Sequence, residues 1–385
     1  MTNNSQDMIE KIVFKNFLSL RDVEVTLGKL NVFVGPNASG KSNIAKGLQL
    51  IANHVRGESE IFEKYASFKE VAYDFDPTQP ISLTLETSIE GEKLIYELSL
   101  TSEDFIEQVF LQKNQQILTS RGSRPEASVI TREGKIHKWN KTYSPLKYFR
   151  KTISYRSALV SLPTVASKKI YQLAEILKRI GVYSFSPEKI RSRCNIKEDP
   201  TLKYLGENLA RSLLHLFLEN RSAFNAVERA FKATIPEVME IIPHIEGDAV
   251  EIWLKVAGLS EPLKPINISD GSLRLLAHIT ALYSGNSLVV FEEPENCVHP
   301  HLLETLIDLA RKAPCQVIIT THSPHLLDHV RPEEVYVVEK PKTETIVKKL
   351  SETKELQAVK RLLEQGGTLG EAWYSGLMGG VPEAE

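Results

Sequence analysis

The chain has 385 residues, 42% of them hydrophobic and 25% charged, with a formal net charge of -2. That composition gives ample apolar material for one or two folded cores and excludes a disordered or low-complexity chain. No apolar run approaches the roughly 18 residues of a membrane span, and the N-terminus MTNNSQDMIEKIVF lacks the layout of a secretion signal, so a cytoplasmic protein without a membrane partner is expected.

In chain order, IEKIVFKNF (residues 9 to 17) alternates as a strand, and Leu30-Asn31-Val32-Phe33-Val34 is a short buried-strand run. A glycine-rich turn follows, then the helical stretch SNIAKGLQLIANHV. Residues 71 to 118 suggest a β-meander, with turn signals at Asp76-Pro77 and Glu90-Gly91. The spacing predicts helices over 165–180 and 202–232, the latter with an apolar stripe of Leu202, Leu205, Leu209, Leu213, Leu216 and Phe217 that reads as core packing. AVEIWLKVA (249 to 257) reads as a strand. A βαβ pattern then runs as helix 272–284, strand 287–291, helix 301–312, strand 315–320 and a strand near 334–339, which implies a mainly parallel sheet. No repeat and no sustained heptad pattern is present. Cys194, Cys297 and Cys315 have neither disulfide nor metal-ligand spacing and fit a reducing compartment.

Gly35-Pro36-Asn37-Ala38-Ser39-Gly40-Lys41-Ser42 is a full G-x-x-x-x-G-K-[ST] match, placed after a strand and before a helix as its chemistry requires. Such a loop turns backbone N–H groups toward phosphates, aided by the positive end of the helix. The residues expected to hold the nucleotide are Asn37, Ala38, Ser39, Gly40, Lys41, Ser42 and Asn43, with Lys41 serving the β- and γ-phosphates and Ser42 ligating Mg²⁺. Downstream, the run SLVVF ends in Glu292-Glu293-Pro294-Glu295. At the carboxyl end of a strand in an open α/β sheet, Glu292 is placed to hold Mg²⁺ through water. Glu293 is placed to activate an attacking water.

With these two motifs the chain resembles the ABC ATPase superfamily. The resemblance implies an ABC-type P-loop NTPase core in the α/β class: a mixed, mainly parallel sheet, an antiparallel β subdomain, and a large α+β insertion. Ile268-Ser269-Asp270-Gly271-Ser272 is similar to the family signature, whose Ser269 and Gly271 would serve the γ-phosphate of a partner subunit. Glu295 to Pro300 stand at the place of the D-loop, and His322 at that of the switch histidine, a catalytic position with Lys41 and Glu293. Two positions depart from the family pattern: Glu292 replaces the usual aspartate, and Asp270 a glycine. The glutamine of the Q-loop stays open among Gln108, Gln112, Gln115 and Gln116. Residues 1–60 and 261–345 would form the two parts of the core, 61–260 the insertion, and 346–385 a tail packed on the core.

The combination SDGSLRLL, EEPENCVHP and THSPHLL, with the ending GEAWYSGL and GGVP, is most similar to stand-alone bacterial ATPases related to the OLD family and to RecF. OLD proteins continue into a Toprim nuclease, for which this chain has no room, and SMC-type ATPases carry a coiled coil that is absent here. The resemblance implies a Mg²⁺-dependent ATPase, dimerised through ATP, that serves DNA maintenance or anti-phage defence beside a separate nuclease or toxin effector. A regulatory ATP-locked platform with slow hydrolysis is the alternative, kept open by Glu292. A transporter ATPase is disfavoured by the long insertion.

Charge is unevenly placed. Residues 113 to 197 hold 19 Lys and Arg against four acids, a net of +15 that leaves -17 for the rest. Arg121, Arg124, Lys138, Lys141, Arg150 and Lys151, interleaved with Trp139, Tyr143, Tyr148 and Phe149, are the candidate nucleic-acid contacts. Pairing with acids elsewhere in the protein and binding of an acidic partner protein are the competing readings.

Overall fold

A computed structural model describes residues 8–58, 65, 67–112, 115–124, 126–131, 133–141, 143–148, 152–155, 157–296 and 300–379. Arg150 and Lys151 lie outside the described residues, as do Phe149, Arg156, Cys297, Val298, His299 and Gly380 to Pro382. In chain order the strands are β1 (Ile9–Phe17), β2 (Leu20–Thr26), β3 (Leu30–Val34), β4 (Ile81–Ile89), β5 (Glu92–Leu100), β6 (Phe105–Leu111), β7 (Gln115–Arg121), β8 (Glu126–Ile130), β9 (Ile136–Asn140), β10 (Tyr143–Tyr148) and β11 (Thr152–Tyr155). They continue as β12 (Ile180–Tyr183), β13 (Cys194–Asn195), β14 (Val238–Glu246), β15 (Ala249–Val256), β16 (Leu288–Glu292), β17 (Gln316–Thr321), β18 (Val335–Glu339) and β19 (Ile346–Lys349). Two compact units result: Met1–Gly28, Gly35–Ile180 and Val337–Lys348 form one, and Lys29–Val34, Gly181–Tyr336 and Lys349–Glu385 the other.

The first unit is built on an antiparallel sheet of eight strands in the order β2-β1-β4-β5-β6-β7-β8-β9. Period-two alternation buries Ile81, Leu83 and Leu85 on β4 and Leu94, Tyr96, Leu98 and Leu100 on β5. Glu90 and Gly91 both adopt positive φ (51° and 80°), the backbone of a two-residue hairpin turn that matches strand twist. The expected meander over 71–118 is shifted and longer. Phe68–Glu70 and Tyr73–Phe75 are 3-10 turns, and the sheet continues through β8 and β9 into the basic window. The helices Lys41–Arg56 and Lys168–Lys178 pack on each other, on β1 and on β4.

A polar cluster is sealed inside this unit. The fully buried Glu107 carboxyl accepts from Tyr96 Oη (3.0 Å), Ser157 Oγ and the Ala158 N–H (2.7 Å), and His54 Nε2 lies 3.7 Å from it. Lys141, expected at a nucleic-acid surface, belongs to this interior instead. It is 5% exposed, and its ammonium donates to Ser120 Oγ (2.9 Å) and Arg121 O (2.6 Å). Burial pulls its pKa down to about 8, opposed by Glu107 and Asp104. A lysine held this way offers no charge to an external polyanion.

The second unit contains the parallel pairs β16/β17 and β17/β3, part of a six-stranded sheet in the order β12-β16-β17-β3-β18-β19. Their continuous apolar runs are buried throughout, as a sheet covered on both faces demands. The helix Asp270–Tyr283 packs on β16, and Pro300–Lys312 on β17. The helix expected over 202–232 is two helices, Leu209–Glu219 and Arg221–Thr234. Asn220 separates them, its side chain accepting from the Ala223 N–H (3.2 Å) and capping the second. Leu202 and Leu205 precede both in a turn stitched by Asn208, and Phe217 is 37% exposed, so the stripe is only partly core. Both helices pack on a three-stranded sheet, β13-β15-β14, whose strand β14 was not anticipated.

His278 sits in this core edge-on to Phe185 and Phe291, with Nδ1 2.7 Å from Arg274 O. Burial, then the Arg274 charge, lowers its pKa from 6.5 to about 3. The unfolded chain therefore takes up this proton first, and the stability contributed by neutral His278 is complete above pH 6.5 and lost as pH falls toward 3. Urea unfolding of His278→Leu between pH 6 and 4 should show a stability slope shallower than wild type by up to about 1.4 kcal/mol per pH unit. Parallel slopes would contradict this.

Candidate nucleotide site

In the first unit, residues 35–42 form a loop that few other side chains could build. A Cβ on Gly35 would stand 2.3 Å from Val338 O, and one on Gly40 (φ +103°) 2.0 Å from Thr345 Oγ1. Ala38 also takes positive φ (62°). Beneath the loop, Ser19 Oγ and Thr345 Oγ1 share a hydrogen bond (2.6 Å), and Thr345 Oγ1 also lies 2.9 Å from Ser39 O. Asn43 belongs to this support: its amide donates to Ser19 Oγ (2.8 Å) and its backbone N–H to Gly40 O (3.0 Å). Buried Lys41 donates to Gly35 O (2.7 Å) and Pro36 O (2.9 Å), while Asn37, Ala38 and Ser42 are exposed.

The fit to a phosphate rests on two observations. The helix Lys41–Arg56 starts at Gly40 with no side-chain cap, so its positive end is left for an anion. Ser39 Oγ is buried without a hydrogen-bond partner. A Mg²⁺ ion would find the exposed Ser42 hydroxyl. Among the described residues no group of three or more His, Cys, Asp and Glu is arranged to hold a metal, and Mg²⁺ held by few protein ligands, phosphates and water needs none.

In the second unit, strand register aligns the rest. Glu292 stands level with Thr320, and Thr321 with Val34, so β16, β17 and β3 end along one edge, where the chain leaves Val34 for the Gly35 loop. Tyr204 Oη donates to Glu292 Oε2 (2.6 Å), and burial together with that carboxylate pushes the phenol well above its usual range. Glu293 adopts φ 47°, a left-handed backbone that costs a non-glycine residue about 1 kcal/mol or more, and its N–H donates to Thr320 O (2.9 Å). The kink brings Glu293 Oε1 within 3.3 Å of His322 Nδ1, and Asn296 Nδ2 donates to Glu293 Oε2 (3.1 Å). Glu295 is mostly buried behind them, accepting from Thr321 Oγ1 (2.6 Å) and the His322 N–H (3.3 Å). The expected pair of Glu293 and His322 is thus brought together, and Glu295 is the residue that seats the histidine.

The signature-like segment enters the helix Asp270–Tyr283. Ser269 is its N-cap, with Oγ accepting from the Ser272 N–H (3.2 Å) and bonded to Ser272 Oγ (2.8 Å); it is exposed, and Gly271 lies in the first turn. Sequence reasoning missed Tyr204 and Arg191, the latter bound to this segment. Neither stands in a motif, and these hydrogen bonds reach across 74 or more residues.

Among the described residues, the cations of the basic window are largely engaged within the chain. Arg121 pairs with Asp104 (2.7 Å), Lys138 with Glu126 (2.9 Å) and Lys168 with Glu90 (2.6 Å); Arg124 is exposed. Lys141 is buried, as described above.

Residues 30–328 match the family described as "AAA domain, putative AbiEii toxin, Type IV TA system". The chain belongs to this family. Among curated proteins it is similar to the OLD nuclease of Thermus scotoductus, 22% identical over 369 residues, 88% of this chain and 63% of that protein. It also resembles the DNA double-strand break repair Rad50 ATPase of Saccharolobus solfataricus, 25% identical over 214 residues, half of this chain and 24% of that one. The chain therefore spans less than two thirds of these relatives. Among solved structures, an SMC head bound to the C-winged helix domain of ScpA superposes with a TM-score of 0.57 at 16% identity, covering 91% of this chain and 99% of the other. The Pyrococcus furiosus SMC head with an extended coiled coil gives 0.55 at 14%, covering 94% and 100%. The fold is that of an SMC head. No described helix is long and apolar enough to cross a membrane.

Tyr204→Phe should raise turnover about two- to tenfold if the phenol competes with metal-bound water for Glu292, because one charge-assisted hydrogen bond is removed from that carboxylate. Steady-state phosphate release at limiting Mg²⁺ reads this; lower turnover would show that Tyr204 positions the acid instead.

Proposed function

We propose that two copies of this chain close around ATP·Mg²⁺ and hydrolyse it, and that the closed dimer works on DNA and governs a separate effector protein. The observation that carries the reading is the Glu293–His322 pair (3.3 Å) beside Glu292 at the carboxyl ends of the parallel strands β16 and β17. Lys41, Ser39, Gly40 and Ser42 would hold the phosphates with Asn37 and Ala38 at the rim. Ser42 and Glu292 would hold Mg²⁺, which supplies charge neutralisation at the phosphates. Glu293 would orient and deprotonate water, with His322 beside it, and Ser269 and Gly271 would serve the second copy's nucleotide. DNA as the substrate draws support from the Rad50 relative, a DNA double-strand break repair ATPase. The internal pairing of Arg121 and Lys138 and the burial of Lys141 weaken the basic window as the contact surface.

The engagement of Glu292 by Tyr204 favours a second reading, a slow-turnover platform that holds its partner while ATP is bound. Phosphate release by the purified protein with Mg²⁺, with and without duplex and single-stranded DNA and with Lys41→Ala as blank, separates the two. Stimulation by DNA supports the first. Slow turnover indifferent to DNA supports the platform, and turnover equal to the blank overturns both.

A further inference from the structure

We propose that Arg191 is a positioning residue for the signature serine, and that Asp270 stands in place of the family's glycine in order to anchor it. The proposal rests on the functional reading above, in which Ser269 meets a second copy's γ-phosphate. Arg191 follows the short helix Pro187–Ile190, whose Ile190 is buried, so its own backbone is fixed. From there the guanidinium grips the entry to the signature helix at three points. Nε donates to Pro265 O (3.2 Å), Nη2 donates to Ile268 O (2.6 Å), and Nη1 pairs with Asp270 Oδ1 (2.6 Å). One planar fork therefore spans the six residues 265 to 270, with Ser269 inside the span.

The local backbone explains why such a clamp has work to do. Ser269 is extended (φ −63°, ψ 151°) and exposed, and among the described residues its hydroxyl is engaged only with Ser272, one turn inside the helix it caps. The neighbouring Ile266 is 78% exposed and contributes no buried anchor. Pro265 and Ile268 on either side of it are buried, and hydrogen bonding from Arg191 adds to that packing in setting the direction in which the Ser269 hydroxyl and the first N–H groups of the helix face. A glycine at 270 would leave the fork only two carbonyls; the carboxylate adds a charged contact at a helix N-terminus, where an acid is favoured. A lysine at 191 would keep the charge while losing the fork, because a single ammonium lacks the planar spread of donors that reaches three acceptors.

The test uses the full chain with Mg²⁺ and a non-hydrolysable ATP analogue, following dimer formation by sedimentation velocity and nucleotide binding by a fluorescent ADP. Arg191→Ala should raise the analogue concentration needed for dimerisation roughly 10- to 100-fold, leaving ADP affinity and the thermal midpoint close to wild type. Arg191→Lys should recover only part of the loss, and Asp270→Ala should add little once Arg191 is gone. Equal dimerisation by Arg191→Ala and wild type would overturn the proposal. So would parallel losses of ADP affinity and thermal stability, which would mark Arg191 as merely structural. Absence of an analogue-dependent dimer in wild type would overturn the functional reading itself, and the proposal with it.

Discussion

Glu293→Gln should bind ATP as tightly as wild type while its turnover falls by about 10²- to 10⁴-fold, the contribution a positioned general base commonly makes. Glutamine preserves shape, can still accept from Asn296 Nδ2, and leaves the main-chain bond from residue 293 to Thr320 O intact. What it loses is the ability to take a proton and the charge beside His322 Nδ1, 3.3 Å away. Binding should survive because the phosphate loop is built from other residues, with Lys41 and the uncapped helix at its centre. Phosphate release and fluorescent-nucleotide binding on the same preparation check both halves. Turnover within tenfold of wild type would remove Glu293 from the role of base.

Glu107→Ala should cost about 3–5 kcal/mol of stability, the loss expected when one member of a buried charged network is deleted. The carboxyl is fully buried and accepts from three separate donors, on Tyr96, Ser157 and Ala158. Alanine would leave those donors without this acceptor and deprive Lys141 of its largest stabilising charge. Chemical unfolding monitored by far-UV circular dichroism reads the change. A loss below about 1 kcal/mol would mean that water or a shifted side chain replaces the carboxyl.

Much of the site was legible because its chemistry demands contiguous residues. A phosphate loop must have glycine where a Cβ would strike Val338 O or Thr345 Oγ1, and those glycines stand within one eight-residue run. The parallel strands were legible as uninterrupted apolar runs, since both faces of β3, β16 and β17 are covered. What escaped depends on distant partners. Tyr204 and Arg191 acquire their roles only through acceptors brought near by folding. Lys141 carried the signature of a surface cation, and nothing local reveals that Ser120 and Arg121, 21 and 20 positions earlier in the chain, hold its ammonium inside. The break at Asn220 was hidden by apolar residues that keep helical spacing on both sides of it. β14 was hidden by its half-exposed face, where Met239, Glu240 and Ile245 blur the alternation.

The floor of the phosphate loop has a consequence for the order of events at the ribosome. Gly40 closes against Thr345, with Ser19 completing the contact, so the loop's support is separated from it by 305 residues of synthesis. At roughly 5–20 residues per second, the motif waits on the order of 15–60 s for its own foundation, long after it has left the exit tunnel. Throughout that interval a growing chain carries the full nucleotide-binding sequence without the geometry to use it. The loop thereby acquires its floor only once translation has passed Thr345, and products truncated before that residue lack it.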